Sequence, residues 1–243
     1  MIRVIAPALR HPFHRTLDEF HRYWGEIHGP LCARMTGVRR YAQLHTLHEA
    51  YGDAPAPSYD GASMFWFEDL EALVSAVTQP ESAALWTTIL ADDAHLFDRG
   101  TSWPTDHRKA TVIGTEHMVL DGPATPDMVK VIFVSARRPG LTLEEYFVRW
   151  AHEHGALVNE LPGLRRYVQT HALPEAYTLA GIFAPTHDGC SELWFDDYRA
   201  WKAALNSKEW SAVVDAGETL FARPSAYVIG REHGVGDTPR IGV

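Results

Sequence analysis

The sequence holds only two cysteines, Cys32 and Cys190, too few for a disulfide framework or a zinc set. Both read as reduced, packed small hydrophobes. No apolar run approaches the roughly 20 residues of a membrane helix, and stretches such as 129–136 fall far short. The start, Met1-Ile2-Arg3-Val4, lacks the charged leader and apolar core of a secretory signal, so a cytoplasmic protein is expected. Basic residues are in deficit, with 22 Lys and Arg against 31 Asp and Glu and a net charge of −9. A binder of phosphate backbones usually carries a basic face, so nucleic acid is not expected as a partner. The basic doublets Arg39-Arg40 and Arg165-Arg166 are each set between apolar residues and do not build a basic face. Gly-x-Gly-x-x-Gly, the P-loop and the Gly-x-Ser-x-Gly elbow are all missing. Their absence disfavours a nucleotide-dependent enzyme and a serine hydrolase.

What is abundant is histidine, with 14 in 243 residues, and tryptophan, with eight. What is organised is a duplication. Residues 16–45 (TLDEFHRYWGEIHGPLCARMTGVRRYAQLH) and 142–171 (TLEEYFVRWAHEHGALVNELPGLRRYVQTH) agree at 13 of 30 positions without a gap. The match continues in Glu49-Ala50-Tyr51 against Glu175-Ala176-Tyr177, and in Asp60-Gly61 and Trp66-Phe67 against Asp188-Gly189 and Trp194-Phe195. It ends in Ile113-Gly114 and Glu116-His117 against Ile229-Gly230 and Glu232-His233. Residues 119–127, rich in glycine and proline, form the linker between units at 1–118 and 128–243.

Each unit opens with a strand (3–9; 128–136), turns, and enters a helix at Thr16 or Thr142. Glu19 and Glu145, three residues on, complete a capping-box signature. Leu17, Phe20, Trp24, Ile27 and Leu31 then share a helix face, as do Leu143, Tyr146, Trp150 and Leu157. An alternating strand (38–45; 164–171), a long loop, a third strand (62–67; 190–195), a helix from Leu70 or Tyr198 and a last strand from about Thr111 or Ala226 follow. The order is β-α-β-β-α-β, so the expected fold is α+β: two ferredoxin-like units packed sheet to sheet within one chain. The loops at 47–59 and 173–186 are long enough to serve as lids, and an insertion at Thr101–Lys109 exists only in the first copy.

Trp24-x3-His28-Gly29-Pro30-Leu31 with Gly37-Val38-Arg39-Arg40-Tyr41-x-Gln43-x-His45 resembles the EthD domain of the dimeric α/β-barrel superfamily. Trp150-x3-His154-Gly155-x-Leu157 with Gly163-Leu164-Arg165-Arg166-Tyr167-x-Gln169-x-His171 resembles it again, departing at Ala156 where the family usually has proline. The resemblance implies an intrachain dimeric α/β barrel with a pocket between sheet and helices in each unit. It also implies decarboxylases, dehydratases, cyclases and isomerases of polyketide or aromatic intermediates as relatives, mostly working without a cofactor; other branches bind haem or oxidise quinols.

The residues themselves point to proton transfer. His28 and His154 sit on the apolar helix face, where an imidazole can act as a general acid–base. A helix-terminal histidine favoured by the dipole is the alternative. Along the next strand, Arg39, Tyr41, Gln43 and His45 alternate onto one face, and Arg165, Tyr167, Gln169 and His171 repeat them. These either line a pocket, with Tyr41 or Tyr167 donating to a developing oxyanion, or form a polar layer where the two sheets meet. Trp24, Trp66, Trp150 and Trp194 are core packing or the walls of a site for a flat aromatic ligand. Glu192 replaces Met64 on the third strand, either paired with Arg165 or Arg166 or poised as a base. His152 and His154 point apart on a helix and cannot share an ion, so no metal is expected.

The expectation is thus a cofactor-independent lyase or isomerase acting on a small carbonyl or polyketide-like aromatic compound, as a monomer or homodimer. A non-catalytic small-molecule binder and a haem-binding or oxygen-using relative are the alternatives.

Overall fold

The computed structural model describes residues 1–14, 16–98, 111–179, 185–222 and 225–236; the insertion at Thr101–Lys109 lies outside them. The first unit runs β1 (Ile2–Ala8), α1 (Leu17–Tyr23), a π-helical turn (Trp24–His28), α2 (Gly29–Ala33), β2 (Val38–Thr46), β3 (Gly61–Phe67), α3 (Leu70–Thr78), α4 (Pro80–Leu96) and β4 (Val112–Leu120). The second repeats it as β5 (Val129–Ser135), α5 (Leu143–Val148), a π-helical turn (Arg149–His154), α6 (Gly155–Asn159), β6 (Leu164–Ala172), β7 (Gly189–Phe195), α7 (Tyr198–Leu205), α8 (Lys208–Gly217) and β8 (Ala226–Gly234). Both capping boxes form: Thr16 and Thr142 accept from the amides of Glu19 and Glu145, whose carboxylates return to the cap amides.

The eight strands close into one barrel in the order β1-β3-β2-β8-β5-β7-β6-β4. Closure depends on the fourth strand of each unit, which begins in its own sheet and ends in the other. β4 pairs Val112–Gly114 with β1 and then Gly114–Leu120 with β6. β8 pairs Ala226–Gly230 with β5 and then Gly230–Gly234 with β2. The units are therefore joined edge to edge as well as face to face, and neither sheet keeps an open edge to manage. No helix among the described residues is long and apolar enough to cross a membrane.

The barrel interior collects Ile5, Leu44, Met64, Trp66, Val112, Ile132, Val134, Cys190 and Val228. Helices cover the outer faces, packing α3 and α4 on Tyr41 and Phe67, and α7 and α8 on Tyr167 and Phe195. Cys32 and Cys190 are free and buried. The loops cross over: Leu173, Ala176 and Leu179 of the second unit pack on the first unit's outer core, and Leu47 and Ala50 pack on the second's.

The π turns change the phase of the first helix. Ile27, placed by α-helical spacing on the apolar face, is 49% exposed, whereas His28 is 2% exposed. The wide turn carries an extra residue, so positions beyond Trp24 rotate relative to a regular helix. Trp24 and Trp150 lie flat against the start of β3 and β7, where a Cβ on Gly61 or Gly189 would overlap their rings. This explains the glycine at the head of both third strands.

Within the barrel sits a charged layer. Arg3 pairs with Glu116 at 2.9 Å and with Glu192, Lys130 pairs with Glu192 and with Glu232 at 2.8 Å, and Arg40 pairs with Glu232. Trp66 stacks under Arg3 and Arg40, with centroid distances of 4.5 and 4.3 Å, and Trp194 under Lys130 at 4.5 Å. Arg3 matches Lys130 and Glu116 matches Glu232 in the duplication, so Glu192 is the one unmatched charge, shared between two equivalent cations. Burial by itself pushes its carboxyl up, but Arg3 and Lys130 outweigh that and hold it down to about 2. The partners expected for Glu192, Arg165 and Arg166, instead bind Asp196 and Asp121 at the surface.

Substituting Glu192→Met, the residue at the matching position of the first unit, takes from the buried Arg3 and Lys130 the carboxylate they share. Stability should fall by about 3 kcal/mol, the usual cost of removing one member of a buried ionic set. A urea titration measures it, and an unchanged midpoint would show that the layer tolerates the imbalance.

Candidate functional site

The two histidines that the duplication makes equivalent occupy different surroundings. His28 Nδ1 lies 2.8 Å from Asp92 Oδ2, its Nε2 3.3 Å from Asp93 Oδ1, and Cys32 Sγ sits 3.1 Å from Nε2. Both ring nitrogens are thus engaged, and Tyr23 secures Asp92 by donating to it at 2.6 Å. His154 faces a different helix end. The rings of Phe97 and Phe221 meet their respective histidines edge-on at 5.4 and 5.2 Å, which registers α4 against α8. In that register Ala216 and Gly217 stand where the first unit has Asp92 and Asp93.

A cavity of about 1010 Å³ opens beside His154 and Gly217 in the second unit. Its floor is the outer face of the sheet: Phe133 and Ser135 on β5, Ser191 and Leu193 on β7, and Tyr227 and Ile229 on β8. Its roof is Tyr198, Trp201 and Leu205 of α7, with Trp210, Val213 and Gly217 of α8 and then Phe221. His154 and Val158 form one wall. The rim takes Asp53, Ala54 and Pro55 from the first unit, together with Arg138, Lys202, Asn206 and Glu218. Asp53 is clasped by Tyr198 at 2.6 Å and Lys202 at 2.9 Å, and Tyr227 donates to the Pro55 carbonyl at 2.5 Å. Part of the loop at 47–59, read as a lid, therefore edges the cavity of the other unit. The counterpart at 173–186 is only partly within the described residues.

His154 Nδ1 is buried without a hydrogen-bond partner, and Nε2 points toward Gly217, 3.8 Å from where a Cβ would stand. Burial pushes its pKa down to about 4, and the Val213 backbone opposes this only weakly. At neutral pH the ring is uncharged, and its Nδ1 is tied to no protein group. His28, with carboxylates on both sides, has no such freedom.

The repeated strand residues lie on the helix side of the sheet, not in a layer between sheets. Tyr41 and Gln43, like Tyr167 and Gln169, are fully buried beneath the π turns. Gln169 Nε2 donates to the Trp150 carbonyl at 3.1 Å and to the Tyr167 hydroxyl at 2.7 Å, and His171 Nε2 meets Gln169 Oε1 at 2.8 Å. Gln43, Tyr41, Trp24 and His45 repeat the pattern, at 3.1, 3.0 and 2.8 Å. His45 stacks on His21 at 4.3 Å, and His171 on Phe147 at 4.4 Å. None of these side chains lines the cavity. Tyr167 reaches it through Ser191, whose Oγ is 3.2 Å from the phenol oxygen.

Of the residues singled out in the sequence, His154 alone lines the cavity. Trp24 and Trp150 are packed under their helices. Trp66, Trp194 and Glu192 face the barrel interior on the opposite side of the sheet. The lining missed in the sequence comprises Ser135, Ser191, Tyr198, Trp201, Trp210 and Tyr227. Ser191 had a signal, since Ser63 repeats it one residue before the Met64–Glu192 difference.

The fold is shared with solved structures of low sequence identity. An anthrone oxidase-like protein aligns over 100% of this chain and 96% of its own, at 12% identity and a TM-score of 0.60. A candidate monooxygenase from Fusobacterium nucleatum aligns over 97% and 92%, at 10% identity and a TM-score of 0.50. An ethyl tert-butyl ether degradation (EthD) family protein from Bacillus halodurans aligns over 44% of this chain and 99% of its own, at 20% identity and a TM-score of 0.36. No match was found among curated proteins. The EthD domain family matches residues 14–100 and again residues 138–225, most of both units, and the chain therefore belongs to the EthD family with its domain present twice.

Proposed function

We propose that the second unit is the working half of a cofactor-independent lyase or isomerase, acting on a flat aromatic carbonyl compound by proton transfer at His154. The observation that carries this reading is the exchange of Asp92-Asp93 for Ala216-Gly217. It removes the carboxylates from one of two equivalent histidines, and that histidine lines the cavity. Walls of Phe133, Trp201, Trp210 and Tyr227 suit a planar ring system, and few polar groups converge on it. A neutral imidazole with a pKa near 4 is a weak base, so its substrate must carry an acidic C–H or O–H beside a carbonyl. The imidazole takes that proton, and the enolate formed next to the ring supplies the counter-charge that burial otherwise denies. Returning the proton to another carbon is isomerisation; delivering it to a departing hydroxyl, with loss of water, is dehydration.

The anthrone oxidase-like fold neighbour favours one second reading. There the same enolate meets dioxygen, and a CH₂ group becomes a carbonyl with release of water.

Solvent deuterium exchange tests the step common to both. Anthrone, tetralone and hydroxynaphthoic ketones incubated in D₂O under argon should lose their activated C–H signals faster with the protein than in buffer alone. A protein that binds these ketones yet leaves exchange at the buffer rate is a carrier, and the catalytic reading fails.

A further inference from the structure

The buried polar chain beneath the cavity has a direction, and the direction defines what the cavity can hold. The Tyr167 hydroxyl is fully buried and accepts from Gln169 Nε2 at 2.7 Å. Its own proton must go somewhere, because an unspent buried donor costs about 1–3 kcal/mol. The acceptor within reach is Ser191 Oγ, at 3.2 Å. Gln169 is itself held from both ends, by the Trp150 carbonyl and by His171, so its amide cannot turn to reverse the order. Burial pushes the Tyr167 phenol up to about 12, so the proton stays on it at any working pH. Ser191 thus receives a hydrogen bond from below. Its own proton is then left for a group in the cavity that Ser191 lines.

We propose that Gln169 and Tyr167 act as positioning residues that fix Ser191 as a hydrogen-bond donor into the second-unit cavity. That donor makes the cavity select the phenolate or enolate oxygen of an aromatic ligand over its protonated form. A hydroxyl free to rotate would serve a neutral phenol and its anion about equally, by accepting from one and donating to the other. A hydroxyl whose acceptor side is occupied by Tyr167 serves the anion better. This inference rests on the cavity being an aromatic-ligand site, but not on any turnover.

The ligand's own ionisation reads the effect. The probe is 7-hydroxycoumarin, a flat phenol whose neutral and anionic forms absorb at different wavelengths. Bound to the wild type, it should titrate at least one pH unit below its free value. Ser191→Ala should return the bound value toward the free one, with an ionisation constant about tenfold smaller. Tyr167→Phe should move it the same way by a smaller amount, while binding of the neutral form changes by less than about threefold. Ser63→Ala, the matching change in the first unit, should leave the bound titration where it was. A probe that binds the wild type and titrates alike in wild type, Ser191→Ala and Tyr167→Phe overturns the donor assignment and leaves the aromatic site standing. A probe that does not bind the wild type overturns both.

Discussion

Replacing His154 with alanine should lower kcat/KM for the proton-transfer step by on the order of 10²- to 10⁴-fold, whereas His28→Ala should change it by less than about threefold. The stability effects should run the other way. His28 is clamped by Asp92 and Asp93, and removing the ring strands two partly buried carboxylates, a loss of about 2 kcal/mol. Removing the His154 ring deletes a group whose Nδ1 has no partner, and it opens onto an existing cavity, so little stability goes with it. The pair forms a double dissociation, activity with one histidine and stability with the other, that a generic packing defect would not reproduce. The pH profile adds a second check. Because burial holds His154 near 4, kcat/KM should show no limb at the ordinary histidine value of 6.5. Turnover undiminished in His154→Ala, or lost only in His28→Ala, would sink the assignment.

The reach of sequence reasoning here follows from what duplication preserves. The duplication makes the element order, both capping boxes (126 residues apart) and the Asp-Gly pairs (128 apart) legible, because those features are local. The expected strand at 38–45 falls inside the observed Val38–Thr46, and that at 190–195 inside Gly189–Phe195. Period-two alternation holds from Tyr41 and Tyr167 onward, but a bulge falls before Arg40 and before Arg166. It leaves Arg39 and Arg165 exposed and paired with Glu68 and Asp196, not in the row with Tyr, Gln and His where alternation puts them. The π turns were not legible, since nothing in Trp24–His28 marks a wide turn until Ile27 is found outside and His28 inside. Nor was the exchange of fourth strands, because pairing partners are a property of the closed barrel.

The site was harder to read, for a related reason. Identity between copies singles out Tyr41, Gln43, His45 and their mates, yet what separates His154 from His28 is a difference. Asp92-Asp93 and Ala216-Gly217 come into register only at an offset of 124, set by Leu96-Phe97 against Leu220-Phe221, beyond loops of unequal length. Glu192 stands out in the sequence because it breaks the repeat, and it lies with Trp194 on the barrel-facing side of the strand. Its partners come from β1 and β5, strands remote in sequence, so the shared salt bridge with Arg3 and Lys130 could not be inferred from alternation.

The abundance of histidine has a consequence for stability that is independent of any chemistry. Burial, with His21 and His233 beside it, pushes His45 down to about 2; burial lowers His21 and His154 to about 4; burial with His117 nearby lowers His171 to about 4. These values lie below the unfolded value of 6.5, so between them the unfolded chain takes up protons that the native state refuses. The native state holds its full advantage above pH 6.5 and loses it progressively as pH falls toward 4. Discounted for partial exposure, each ring contributes about 2 kcal/mol of this loss by the bottom of the window. Four of them together match the whole stability of a typical domain, about 5–15 kcal/mol. The barrel carboxylates do not offset it, because Glu192 is held low by Arg3 and Lys130 and stays charged through this range. The protein should therefore unfold in acid before pH 4, with urea midpoints falling steeply from pH 6.5 downward and level above pH 7. His154→Leu should be less sensitive than the wild type, its stability relative to wild type rising by about 2 kcal/mol between pH 8 and pH 5. A urea midpoint that stays constant from pH 7 to pH 5 would mean that the native state admits those protons, and that its histidines are less sequestered than their packing indicates.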